Sequence, residues 1–111
     1  MSQFEDVIAK CKSQMEEKGI EIDDALLESI ARSLGPSIYN ADGLTVATAQ
    51  KSEVDTVREF AKNKMGAADG DDLEGAIAKA TETLGQSNPN KLRPVFYYIM
   101  AKALGKESAF S

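Results

Sequence analysis

Residues 91–106 contain four cations (Lys91, Arg93, Lys102 and Lys106), two adjacent tyrosines (Tyr97 and Tyr98) and no acid. Arg and Tyr are enriched at protein interfaces and supply much of their energy. A basic helix bearing aromatic rings can also grip an anion or stack a base. The rest of the chain has the opposite sign. Residues 1–87 carry nine basic and 17 acidic side chains, a net of −8, and the whole chain comes to −5. Two readings of Arg93, Tyr97, Tyr98 and Lys102 stay open: a surface for a partner, or a solvated face paired with the chain's own acidic helices. Tyr39 and Arg58 extend the set, since with Arg93 or Tyr98 they would suit an anionic ligand in a pocket between helices. Nucleic acid is not an expected partner, because phosphate affinity needs clustered cations and here an acidic body opposes them.

Other chemistry is excluded by count. Among 111 residues there is no histidine and one cysteine. That removes Ser-His-Asp and Cys-His pairs, the common zinc sites, iron–sulfur ligation and an intrachain disulfide. Neither G-x-x-x-x-G-K-[ST] nor a strand followed by G-x-G-x-x-G occurs. A calcium loop needs oxygen ligands at positions 1, 3, 5 and 12 around a glycine at 6. With Gly43 at position 6, Asn40 and Asp42 fit, but Ile38 and Ala49 take the first and last places. With Gly70 at position 6, Met65, Ala67 and Ala76 stand where ligands are needed. The chain is thus at most a degenerate EF-hand-like protein without tight calcium binding. Asp69, Asp71, Asp72 and Glu74 read as a helix start, where carboxylates favour the positive end of the dipole. Cys11 lies on an apolar stripe and reads as an inert core thiol. No metal, cofactor or catalytic residue is expected, and no enzymatic activity.

Five amphipathic helices would have to position these groups. Phe4, Val7, Ile8, Cys11 and Met15 recur at helical spacing behind a Ser2–Glu5 capping box, and Gly19 ends the run. Asp23 or Asp24 caps a second stripe of Leu26, Leu27, Ile30, Ala31 and Leu34, closed by Gly35-Pro36. A third begins at Ser52, carries Val54, Val57, Phe60, Ala61 and Met65, and stops at Gly66. A fourth starts near Asp71, buries Leu73, Ala76, Ile77, Ala80 and Leu84, and stops at Gly85. The fifth has the most regular stripe: Leu92, Val95, Phe96, Ile99, Met100, Ala103 and Leu104, with Pro94 in its first turn and Gly105 at its end. On that stripe Tyr97 and Tyr98 fall outside the core face.

Residues 36–51 are ambiguous between helical and extended. Ile38 and Tyr39 suit a helical turn, Asn40–Gly43 is turn chemistry, and Leu44, Val46 and Ala47 suit a short extended piece without an evident partner. The expected fold is all-α, a compact array of about five short helices in a single domain over residues 1–111, with 106–111 either a frayed tail or one pinned down by Phe110.

The run Lys91-x-Arg93-x-x-Phe96-Tyr97-Tyr98-x-x-Ala101-x-x-x-Gly105-Lys106 resembles the C-terminal signature of a bacterial family known as Domain of Unknown Function 2853. Leu34-Gly35 with Asn40 and Leu44-Val46-Ala47 is similar to its central loop. Val57-Arg58-Glu59 through Lys62, Lys64 and Gly66 is similar to its middle helix, and Asp72-Leu73 with Ala76-Ile77 to its fourth. Pro94 and the short loop after Gly66 depart from the pattern. The resemblance implies a small helical array that pairs as a dimer, and it implies no activity.

The lone cysteine, the acidic Met-Ser-Gln-Phe-Glu-Asp start and the lack of any run near ~20 apolar residues suit a cytoplasmic protein without a membrane span. The expected function is association, as a homodimer that uses Arg93, Tyr97 and Tyr98 or through a protein partner. The alternative is a sensor or enzyme with an anion pocket.

Overall fold

A computed structural model describes residues 3–39, 44–46, 50–67, 71–86, 88 and 91–110. It contains α1 (Gln3–Glu17), α2 (Asp24–Leu34), a 3-10 turn (Gly35–Tyr39), α3 (Lys51–Lys64), α4 (Leu73–Leu84), α5 (Arg93–Leu104) and a second 3-10 turn (Glu107–Phe110). The fold is all-α, and the described residues contain no strand. Its Cα radius of gyration is 12.7 Å, close to the ~13 Å expected of one folded body this long.

The helix ends follow local chemistry. Asp23 accepts the Leu26 N–H at the start of α2, and Asp72 accepts the Gly75 N–H at the start of α4. Each satisfies a donor that the helix leaves orphaned. Helix α3 departs from expectation: it begins at Lys51 after an extended Gln50 that supplies no side-chain cap, so Ser52 lies inside the first turn. At the end of α5, Gly105 takes φ 68° and ψ 31°, and its N–H reaches back to Ala101 and Lys102. A residue with a Cβ would be strained in that left-handed conformation.

Helix α5 is the axis of the molecule. Every residue from Lys91 to Ala101 is buried, and α4 and α2 pack most extensively against it. A helix that is apolar all round belongs inside, and α5 is such a helix between Pro94 and Ala101. The expected one-sided stripe is therefore wrong in two respects. Tyr97 and Tyr98, placed outside the core by spacing, are 1% exposed and are among the largest fully buried side chains. Ala103, placed inside it, is exposed.

Leu27, Ile30, Cys11, Met15, Ala80 and Leu84 close around α5 with essentially no exposure. Each large side chain so buried contributes about 1.5–3 kcal/mol. Cys11 is in the core as expected, and burial pushes its thiol from 9.0 up to about 12 against a backbone hydrogen bond to Val95.

The ambiguous region resolves in part. Ile38 and Tyr39 do belong to a helical turn. Thr45 forms an isolated antiparallel bridge with Leu92, and the Val46 N–H donates to the Lys91 carbonyl at 2.9 Å. The partner for the extended piece is the stretch that leads into α5. In the tail, Lys106 pairs with Asp71 and the Glu107–Phe110 turn lies near α2. Ser2, the Asn40–Gly43 turn, Ala47, Ala49, Asp69 and Gly70 fall outside the described residues.

Candidate functional site

The N-terminus of α5 has an electrostatic problem. Arg93 opens the helix with no acid in its first turn, and a cation there opposes the positive end of the dipole. Helix α3 supplies the counter-charge. Arg93 Nη2 lies 3.1 Å from both carboxylate oxygens of Glu53 and donates to the Thr45 carbonyl at 2.9 Å, while Nη1 donates to the Tyr97 hydroxyl at 3.2 Å. The Arg93 side chain is 8% exposed and that of Glu53 is 23% exposed. Burial opposes the charge on Arg93, but Tyr97 and Glu53 outweigh it and hold the guanidinium above its ordinary range. Burial likewise raises Tyr97, against the pull of Arg93. One turn along, Phe60 of α3 stacks on the Tyr97 ring with centroids 4.1 Å apart and planes 4° apart.

The six residues that the sequence nominated scatter over several places. Arg93 and Tyr97 share the cluster just described. Tyr98 points to the other side of α5, where its hydroxyl donates to the Glu21 carbonyl at 2.8 Å and accepts the Asp23 N–H at 3.0 Å. Lys102 stands over the Tyr98 ring, 5.7 Å from its centroid. Arg58 bridges Asp55 and Glu74 at the surface, and the hydrogen bond from Arg58 holds the Glu74 carboxyl below its usual range. Tyr39 is the one exposed large hydrophobic residue among those described, at 39%.

Tyr39 borders a groove of about 670 Å³ between α1 and α2, lined by Phe4, Glu5, Glu28, Ala31, Arg32 and Gly35. The Arg32 guanidinium lies 4.7 Å from the centre of the Phe4 ring. A smaller recess continues from it along Phe4, Ile8, Ala9 and Lys12. The groove therefore joins two aromatic rings to charges of both signs. Arg32, Phe4 and Glu28 were not nominated from sequence, although Arg32 and Glu28 stand four apart on α2, a spacing that puts them on one face.

Among the described residues, no group of three or more Cys, Asp or Glu side chains could hold a metal ion. Asp71, Asp72 and Glu74 are occupied in pairing with Lys106, capping α4 and bonding Arg58. Lys91 is buried too, and its ammonium donates to the Gln86 and Asn88 carbonyls beyond α4, with burial lowering its pKa. No buried side-chain nitrogen or oxygen among the described residues lacks a hydrogen-bond partner.

A family model described as "Protein of unknown function (DUF2853)" matches residues 7–108. The chain belongs to this family. A comparison with curated proteins gives no match. The DUF2853 match runs from within α1 into the last 3-10 turn, so it takes in the whole Arg93–Glu53–Tyr97–Phe60 cluster. Phe4 and Glu5, at one side of the groove, precede it. No described helix is long and apolar enough to cross a membrane.

Proposed function

We propose that this protein acts by association, as a cytoplasmic homodimer whose two copies meet through the groove between α1 and α2. The observation that supports this reading is the composition of the groove: Tyr39, Phe4 and Arg32 are residue types enriched at interfaces, and Tyr and Arg carry much of their energy. A two-fold interface must be self-complementary. The groove meets that need, because Arg32 of one copy can face Glu5 or Glu28 of the other. The Arg32 side chain makes no hydrogen bond or ion pair within the described chain, only its contact with Phe4.

The same geometry disfavours the α5 face as the interface, since Arg93, Tyr97 and Tyr98 are bonded inside one chain. It also disfavours an anion pocket, since Glu5 and Glu28 would repel such a ligand. Tyr39 is the one exposed large hydrophobic side chain among the described residues, so the dimer is weak, with a dissociation constant on the order of micromolar or above. Sedimentation velocity between about 1 µM and 1 mM tests this at concentrations that bracket such affinities. The expected result is a mass that rises with concentration, is abolished by Arg32→Glu, and returns when Glu28→Arg is added to the same chain. A monomer throughout the range overturns the reading.

A further inference from the structure

Helix α3 is attached differently from its neighbours. Only Val57 and Ala61 are buried among its 14 residues, whereas nine of 12 are buried in α5. Among the described elements, none runs alongside its backbone over any length. Val57 and Ala61 anchor it in the core, and side-chain contacts hold the rest: Glu53 to Arg93 near one end, the Phe60 ring on Tyr97 in the middle, and Arg58 to Glu74 of α4 at the surface. Regions with few buried apolar groups open at a lower free energy than the core. Beneath α3, the bond between Tyr97 and Arg93 and the one from Arg93 to the Thr45 carbonyl do not depend on α3. The surface left behind therefore keeps an ordered polar network.

We propose that α3 is a strap that releases as a unit while α1, α2, α4 and α5 stay assembled, and that the Arg93–Glu53 pair is its catch. Release uncovers the Arg93 guanidinium and the Tyr97 ring together, turning a covered part of α5 into a cationic, aromatic surface. This device is independent of the α1–α2 groove, which lies on other elements.

Hydrogen exchange of the full chain, read by mass spectrometry and corrected for intrinsic rates, tests it. Amides of 51–64 are expected to exchange at least about tenfold faster than those of 93–104, through an opening that leaves α4 and α5 protected. Glu53→Gln keeps the shape of the catch and removes its charge. It is expected to speed α3 exchange about tenfold with α4 and α5 unchanged, the size of effect that one charge-assisted contact provides. Phe60→Leu is expected to do the same through loss of the stack. A common exchange rate for α3, α4 and α5 overturns the proposal, as does an equal acceleration of all three in Glu53→Gln.

Discussion

Replacing Arg93 with methionine keeps much of the aliphatic volume and deletes the polar contacts of its guanidinium. Three groups lose a donor: the Glu53 carboxylate, the Thr45 carbonyl and the Tyr97 hydroxyl. Removing one member of a buried ion pair costs about 3–5 kcal/mol, because the other charge stays behind. Glu53 is 23% exposed, so water recovers part of that loss and the lower end applies. The expected cost is about 3 kcal/mol, a large share of the ~5–15 kcal/mol that holds a domain together. At about 4 °C per kcal/mol for a chain near this length, Tm falls by about 12 °C. Urea unfolding followed by circular dichroism measures the loss directly. Pairing Arg93→Met with Glu53→Leu removes the stranded carboxylate and is expected to return at least about 1 kcal/mol, since replacing both partners of a buried pair with apolar groups is often near neutral. An Arg93→Met chain within about 0.5 kcal/mol of the parent would refute this account of the cluster, because that is the size of a surface substitution.

Tyr98→Phe removes a hydroxyl that serves the Glu21 carbonyl and the Asp23 N–H at once; a loss of about 1–2 kcal/mol is expected in the same urea assay, and an unchanged midpoint would contradict the bridge. Cys11 gives a pH signature. Its folded pKa is raised from 9.0 to about 12, so its contribution is fully present below pH 9 and is lost as pH rises from 9 through 12. The unfolding midpoint is expected to drop over that window, less steeply in Cys11→Val, and native Cys11 is expected to react with a thiol reagent far more slowly than the unfolded chain does.

The regular signals carried most of the architecture. Apolar spacing on α1, α2 and α4 placed Cys11, Met15, Leu27 and Leu84 in the core, and the expected stops at Gly19, Gly35, Gly66, Gly85 and Gly105 all adopt positive φ. What periodicity could not resolve is a helix enclosed on all sides. A stripe of Val95, Phe96, Ile99 and Met100 looks the same whether the opposite face meets water or more protein. Tyr97 and Tyr98 are amphipathic residues that satisfy either setting, so their burial depends on what α2 and α3 bring to them. The partners were illegible for a related reason. Glu53 lies 40 residues from Arg93, and the Glu21 carbonyl 77 from Tyr98; charge counting supplied the acids without saying which one comes near. The bridge between Thr45 and Leu92 was missed because a single backbone pair leaves no alternation to read.

The position of α5 in the chain also governs the order of assembly. A ribosome delivers α1, α2, α3 and α4 before the helix around which they close. Until residues 93–104 emerge, the apolar stripes of α2 and α4 lack the surface they will cover, and the earliest segments wait longest: Gln14 meets the Leu92 N–H across 78 residues, and Asp23 meets Tyr98 across 75. Contacts of such long range slow folding and leave apolar surface unprotected in the meantime. The nascent protein is therefore most vulnerable to aggregation and proteolysis just before its central helix appears, and a stop codon placed ahead of residue 93 would yield helices with nothing to wrap.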